Sequence, residues 1–542
     1  MKTNAFYLLA LTVLLGLASC SGDELAQNDT KSNGSSPSAG NAIFESGEPG
    51  TRTSLTHTFG AGADVLWTAG DKIWVKDDGG TFHQSGAADF TAYPTDKSRA
   101  QFALNGTYAG TTYPVVYTGS AGTSATEVTI KKEQTQSAPN NSDHLGTSGD
   151  CGVATATGSA GKYGFKLAHK AAYLCLLPRS SNEYVNRSKL VKVEISADDN
   201  IAGTYNMAAD GTLSFASDGS KTVTVTAGSG FQLDNAATDA SKNAVYAVIA
   251  PGNRTLRIRY WLRNEADGID AMGNPAPIEG TVTKYVTLNC EAGKIYDVTA
   301  NLAPKNYPGN NYYMWDAQEN CWSGYEWNHS NPANRQQPTV NSIGNSNYPQ
   351  NSSDPRWFNP ACSSLYVQND AVTPLFQTLP NANEMSWYVM KGDPRRDTDE
   401  LWTTFGRLYK GGMWFKKMSQ IKIDAATEIN AAGGDVKAKG IKNDGTYQDF
   451  RINLGEAHNT SSSTPFTVNE EANYFYLPFV GVYTHLPPSG RFMSPFTCCW
   501  TASADTGDNS EGAYMLRFFS NFDDVDMIRE NRAMGALAVP FE

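Results

Sequence analysis

The chain has 542 residues, 18% of them charged, and a formal net charge of −12. That balance excludes a nucleic-acid partner, because phosphate neutralisation needs a dense basic patch and the sequence carries none. Its 49 glycines and 26 tyrosines favour strands and turns over helices, on a length that suits about three domains.

At the N-terminus Lys2 precedes an apolar run over residues 6–17, broken only by Thr12 and Gly16. A membrane span needs roughly 20 apolar residues, so the run fits a secretory signal instead. Leu17-Ala18-Ser19-Cys20 resembles a lipobox, which implies a lipoprotein signal peptide over residues 1–19 and acylation of the Cys20 thiol. Asp23 and Glu24 are similar to the acidic tag that directs lipoproteins to the outer face of the outer membrane. The expected location is therefore lipid-anchored and surface-exposed on the cell outer membrane. Residues 20–41 are mostly Ser, Gly, Asn and Asp and read as a flexible tether.

From Ala42 onward, short apolar segments of period two alternate with Gly, Asn and Asp turns. Ile73 and Val75 share one face of a strand, and so do Tyr113, Val115 and Tyr117. These half-buried strands predict a β-sandwich over residues 42–163, with a long polar loop or boundary at 133–160. A second sandwich is expected over residues 164–303. There Val191, Val193 and Ile195 alternate with Lys192 and Glu194, Leu256, Ile258 and Tyr260 alternate with Arg257 and Arg259, and Tyr296, Val298, Ala300 and Leu302 line a last strand.

Residues 304–542 differ in texture and hold eight of the eleven tryptophans: Trp315, Trp322, Trp327, Trp357, Trp387, Trp402, Trp414 and Trp500. Most of these are expected in packing. Residues 381–390 predict a short helix, with Asn381 as N-cap and Glu384 completing a capping box. Residues 474–482 read as strand.

Several of these segments carry a resemblance. Thr51-Arg52-Thr53-Ser54-Leu55, Val65-Leu66-Trp67 and Gly70-Asp71-Lys72-Ile73 are similar to the opening of the fimbrillin family, the subunits of type V pili. The likeness continues through residues 165–170, 201–205, Ile249-Ala250-Pro251-Gly252 and residues 291–296, so it spans roughly residues 42–303. Cys499-Trp500-Thr501-Ala502-Ser503, residues 513–518 and Arg532-Ala533-Met534-Gly535 resemble the C-terminal half of C-type-lectin-like modules. The fold these resemblances imply is mainly β: two tandem transthyretin-like β-sandwich domains followed by a C-type-lectin-like α+β domain at 304–542.

In the fimbrillin family a protease specific for Arg or Lys removes the first strand, and a neighbour's strand fills the groove. Here that implies Arg52 as the cleavage candidate, with Arg99 second, and other pilus subunits as partners by donor-strand exchange. A large C-terminal module without an obvious free donor strand implies a tip subunit of the fimbrium, acting in adhesion toward a glycan or protein ligand. The alternative is an outer-membrane lipoprotein that never polymerises and binds glycans through its aromatic residues.

No catalytic role is expected. The seven histidines lie singly, and no CxxC spacing points to a metal or redox site, so no cofactor is assigned. Asp523, Asp524 and Asp526 form an acidic cluster that reads as a solvated loop. Cys175 and Cys290 are either small buried hydrophobes or a disulfide. One bridge is expected from Cys498 or Cys499 to Cys321 or Cys362, in keeping with an oxidising exterior.

Overall fold

The computed structural model describes residues 41–47, 54–57, 59 and 63–542, apart from 270–273, 308–310, 327, 336–347, 352, 355, 357–369, 465, 484–491, 494–495 and 506–511. It is mainly β, with several sheets. Among the described residues no helix is long and apolar enough to cross a membrane.

The first sheet runs in the order Phe82–Gln84, Trp74–Lys76, Thr112–Tyr117, Gly152–Ser159, Lys162–Phe165, Asn41–Ser46, Gln101–Asn105. Alternation builds its core: Val75, Tyr113, Val115, Tyr117, Phe102 and Leu104 are all buried, around Ile73 and Trp67. Asp71 fixes the turn before Ile73 by accepting from the Thr68 N–H (2.6 Å) and from the Tyr117 hydroxyl (2.7 Å). The hairpin ending at Lys162 turns through Ala160 and Gly161, both at positive φ (52° and 77°), the geometry of a two-residue type I′ turn.

The next body packs a sheet of Val245–Ile249, Ala172–Arg179 and Ile295–Asn301 against a larger one. The larger sheet carries Leu256, Ile258 and Tyr260 inward, as their alternation predicts. The strand Ser188–Ser196 departs from its simple pattern. A bulge between Leu190 and Lys192 shifts the register, so Leu190 is buried with Val193 and Ile195 while Val191 is only half-buried.

Residues 133–160 do not form a long loop. They contain the strands Glu133–Gln136 and Gly152–Ser159 and the short helix Leu145–Ser148. The inward residues of Glu133–Gln136 are glutamines, and their amides act like a backbone ladder. Gln134 donates to Val248 O (2.8 Å) and accepts from Val248 N (3.0 Å). Gln136 donates to Ala244 O (2.8 Å) and accepts from Tyr246 N (2.8 Å). A buried strand paired through side-chain amides has no hydrophobic period to detect. Glu127–Ile130 likewise pairs with Ala202–Met207, so residues 127–136 belong to the sheets of the second body.

The larger sheet then continues into residues 304–542 through Pro275–Cys290, Arg395–Thr404, Arg407–Lys416 and Tyr474–Pro478. Glu400 anchors this join, accepting from Thr281 Oγ1 (2.9 Å), Thr283 N (3.1 Å) and Thr283 Oγ1 (2.7 Å). Arg257 lies 3.3 Å from Glu471, and Arg259 lies 3.4 Å from Asp397. Asp198 accepts from the backbone N–H groups of Val468 (2.6 Å) and Asn469 (3.2 Å).

A second sheet of this part orders Tyr312–Tyr313, Ala536–Leu537, Phe496–Ala504, Gly512–Phe519, Asp524–Asn531 and Ala457–Thr460. The helix Ala382–Lys391 starts with the capping box expected from Asn381 and Glu384. Trp315, Trp322, Trp387, Trp402 and Trp500 are buried; Trp327 and Trp357 lie outside the described residues.

Candidate functional site: the seat of the first strand

Asn41–Ser46 is inserted between two strands. It runs antiparallel to Gln101–Asn105, with Phe44 opposite Phe102, and parallel to Lys162–Phe165, with Phe44 opposite Tyr163. It is the link through which Gln101–Asn105 joins the rest of its sheet. Every second residue faces inward: Ala42, Phe44 and Ser46 are buried, whereas Ile43 and Glu45 are half-buried on the other face.

Phe44 is the main anchor. Its ring stacks on Tyr163 at 4.8 Å and meets Tyr108 (5.3 Å) and Tyr113 (6.1 Å) edge-on. Beneath the strand lies an aromatic floor in which Trp67 contacts Phe102 at 4.9 Å and Phe165 at 6.3 Å. Ser46 closes the C-terminal end, its hydroxyl oxygen accepting from Ala100 N at 2.8 Å. The backbone adds Ile43 N to Gly161 O (2.8 Å), Ser46 N to Ala100 O (3.0 Å) and Gly47 N to Phe165 O (2.8 Å).

The outer face is held by charge. Glu45 accepts from Arg99 (2.6 Å), Gln101 (3.1 Å) and the Tyr93 hydroxyl. Burial works against the Glu45 carboxylate, yet hydrogen bonds from Tyr93, Gln101 and Arg99 outweigh it and hold its pKa below the usual range. The Arg99 guanidinium also lies 4.0 Å from the centre of the Tyr93 ring. Arg99 is therefore held by both Glu45 and Tyr93 and braces the strand. Its partner Glu45 is 54 residues away, so no local sequence signal could have found this contact.

Cys20 and Arg52 both lie outside the described residues. Asp526 of the acidic cluster is not a solvated loop residue. It is buried, 2.6 Å from His458 Nδ1 and 2.9 Å from Arg517, while Asp523 pairs with Arg396 at 3.0 Å. Among the described residues the expected bridge in the C-terminal part is not formed: Cys321, Cys498 and Cys499 are buried free thiols, as are Cys175 and Cys290, and Cys362 lies outside the described residues. Burial pushes the Cys321 thiol up to about 12. These cysteines serve as small hydrophobic side chains in strand and loop interiors.

No family model matches the chain, and no curated protein matches it. Among solved structures it is similar to a candidate cell adhesion protein from Bacteroides fragilis, at 13% identity over 48% of this chain and 92% of that one, with a TM-score of 0.28. A candidate cell adhesion protein from Bacteroides uniformis shares 12% identity over 49% of this chain and 94% of its own, with a TM-score of 0.27. A fimbrial protein from Bacteroides ovatus shares 11% identity over 92% of this chain and 99% of its own, with a TM-score of 0.21. Likeness at this level establishes neither family nor function.

Proposed function

We propose that this protein is a cell-surface pilus subunit with an adhesive role, assembled by strand exchange after its first strand is removed. The observation that supports this reading is the seat of Asn41–Ser46: an inserted strand, anchored by one aromatic side chain, bonded on both edges and joined to the remainder of the chain through a single connection containing Arg52. Removal would expose two rows of backbone N–H and C=O groups above an aromatic floor. A donor strand running the same way would restore both ladders at once.

In this reading Cys20 carries the lipid that brings the chain to the outer membrane, and Arg52 is the processing point. The first two bodies correspond to transthyretin-like sandwiches and the last to a C-type-lectin-like module. A tip position fits the fixed C-terminal strand: Ala536–Leu537 is paired on both sides within its own sheet, and the Glu542 side chain accepts from the Tyr388 hydroxyl (2.8 Å). That strand is not free to be donated.

The test is N-terminal sequencing of protein recovered from the cell surface. A mature chain starting at Thr53 supports the reading. A chain starting at acylated Cys20 in every molecule overturns it in favour of a permanent lipoprotein.

A further inference from the structure

The sandwich of the second body is closed at one rim and open at the other. At the closed rim Glu133–Gln136 pairs with Thr222–Gln232, and its glutamine amides bond the facing strand Val245–Ile249. The open rim lies between Ile295–Asn301, the last strand of the smaller sheet, and residues 284–289 of Pro275–Cys290. Among the described residues no strand pairs with the outer edge of either stretch.

Pairing geometry gives the groups that face this edge. In the parallel pair with Ala172–Arg179, Tyr173 N donates to Lys294 O (3.0 Å) and Leu302 N donates to Arg179 O (2.8 Å). Tyr296, Val298 and Ala300 therefore turn their amides toward that ladder, while Ile295, Thr299 and Asn301 turn theirs outward. The register has no bulge and the strand has no proline, so two usual safeguards against strand addition are missing. On the facing strand Thr283 N donates to Glu400 (3.1 Å), which places the amides of Tyr285 and Thr287 on the open side as well.

Side-chain burial marks the same rim as unfinished. Val286, Leu288 and Tyr296 are only half-buried, although alternation aims them at the core. Lys284 stands on that core face too, directly opposite the fully buried Ile258. A lysine is tolerated in such a place where its ammonium can reach out of the rim. A cavity of about 380 Å³ opens between the strands, lined by Ile258, Lys284, Val286, Val298 and Ala300 among others. At the turn end Tyr296 spans the gap, its hydroxyl donating to Asn289 O (2.5 Å), so the opening runs from there toward Asn301.

We propose that this rim is an acceptor edge for one β-strand of a partner polypeptide, which pairs with the outer edge of Ile295–Asn301. Outward amides at every second residue are met in register by another extended backbone. The cavity takes apolar side chains at alternate positions of that strand, and Lys284 calls for a carboxylate on the same face. The opposite rim of this sandwich is already closed by a strand in this manner. The site lies apart from the seat of the first strand and does not depend on strand removal.

The experiment is hydrogen–deuterium exchange on the intact, uncut chain with a synthetic nine-residue peptide alternating Val and Thr, at up to about 1 mM, a level that detects millimolar affinity. The peptide is expected to slow exchange in residues 295–301. Thr299→Pro removes one outward N–H and none of the ladder to Ala172–Arg179, and is expected to weaken binding about tenfold. Two further peptides, with the central Val replaced by Glu or by Lys, read the charge. The Glu peptide is expected to bind about two- to fivefold more tightly, as an exposed ion pair allows, and the difference should vanish in Lys284→Ala. No slowing in 295–301, slowing confined to other edges, or binding unchanged in Thr299→Pro would each overturn the proposal. Should Thr299→Pro fail to fold, the charge comparison decides. A Glu preference lost in Lys284→Ala supports the site, and one that is absent from the native chain or persists in the variant refutes it.

Discussion

Replacing Phe44 by Ala tests whether the first strand is seated as a removable plug. The side chain is fully buried and touches three tyrosine rings, so its loss leaves a cavity above the aromatic floor. A buried Phe→Ala change costs about 3–5 kcal/mol. The backbone ladders to Gln101–Asn105 and Lys162–Phe165 are untouched by it, so the whole effect falls on side-chain anchoring. The assay cuts the purified chain after Arg52 with an Arg-specific protease and measures retention of the released N-terminal peptide by gel filtration and mass spectrometry. At a factor of ten for each ~1.4 kcal/mol, Phe44→Ala weakens retention by roughly two to four orders of magnitude. Ile43→Ala, on the half-buried outer face, is the control and is expected to weaken it by no more than about tenfold. Equal retention of the Phe44→Ala and native peptides, or a larger effect at Ile43, would refute the register on which the groove argument depends.

Two further outcomes come from the joins between parts. Gln136→Leu keeps the bulk but leaves Tyr246 N and Ala138 O without their partner, so stability to urea should fall by about 1–3 kcal/mol, and an unchanged midpoint would show that the amide ladder is dispensable. Burial, and then the neighbouring Asp397, push the Glu400 carboxyl above the usual range despite its bonds from Thr283 and Thr281. A raised folded pKa contributes stability that is complete below the unfolded value of about 4.3 and is lost as pH rises through the folded one. Glu400→Gln should therefore flatten the decline in urea midpoint on raising the pH above about 4.3, and an identical slope in the variant would refute it.

What the sequence shows directly is whatever depends on near neighbours. Period-two runs such as Leu256, Ile258 and Tyr260 betray their strand because each residue faces one core regardless of which strand lies beside it. The Asn381–Glu384 capping box is legible for the same reason, since both partners sit within one helical turn. The first strand shows in residues 42–44 as a short apolar segment, but its function as an inserted strand does not. Its meaning comes from Phe102 and Tyr163, each brought alongside by pairing over long separations.

The misreadings share a cause: polar residues doing the work of apolar or backbone groups. Gln134 and Gln136 read as loop because amides are assigned to solvent, yet here each amide accepts from one backbone N–H and donates to one C=O of the segment 244–248. Asp526 reads as part of a solvated cluster because its partners, His458 and Arg517, come from two different strands of the same sheet. The same principle governs the seat of the first strand. At the first strand Glu45 and Ser46 both find their partners, so that seat is complete when a strand occupies it. A satisfied seat favours exchange of like for like, one strand for another.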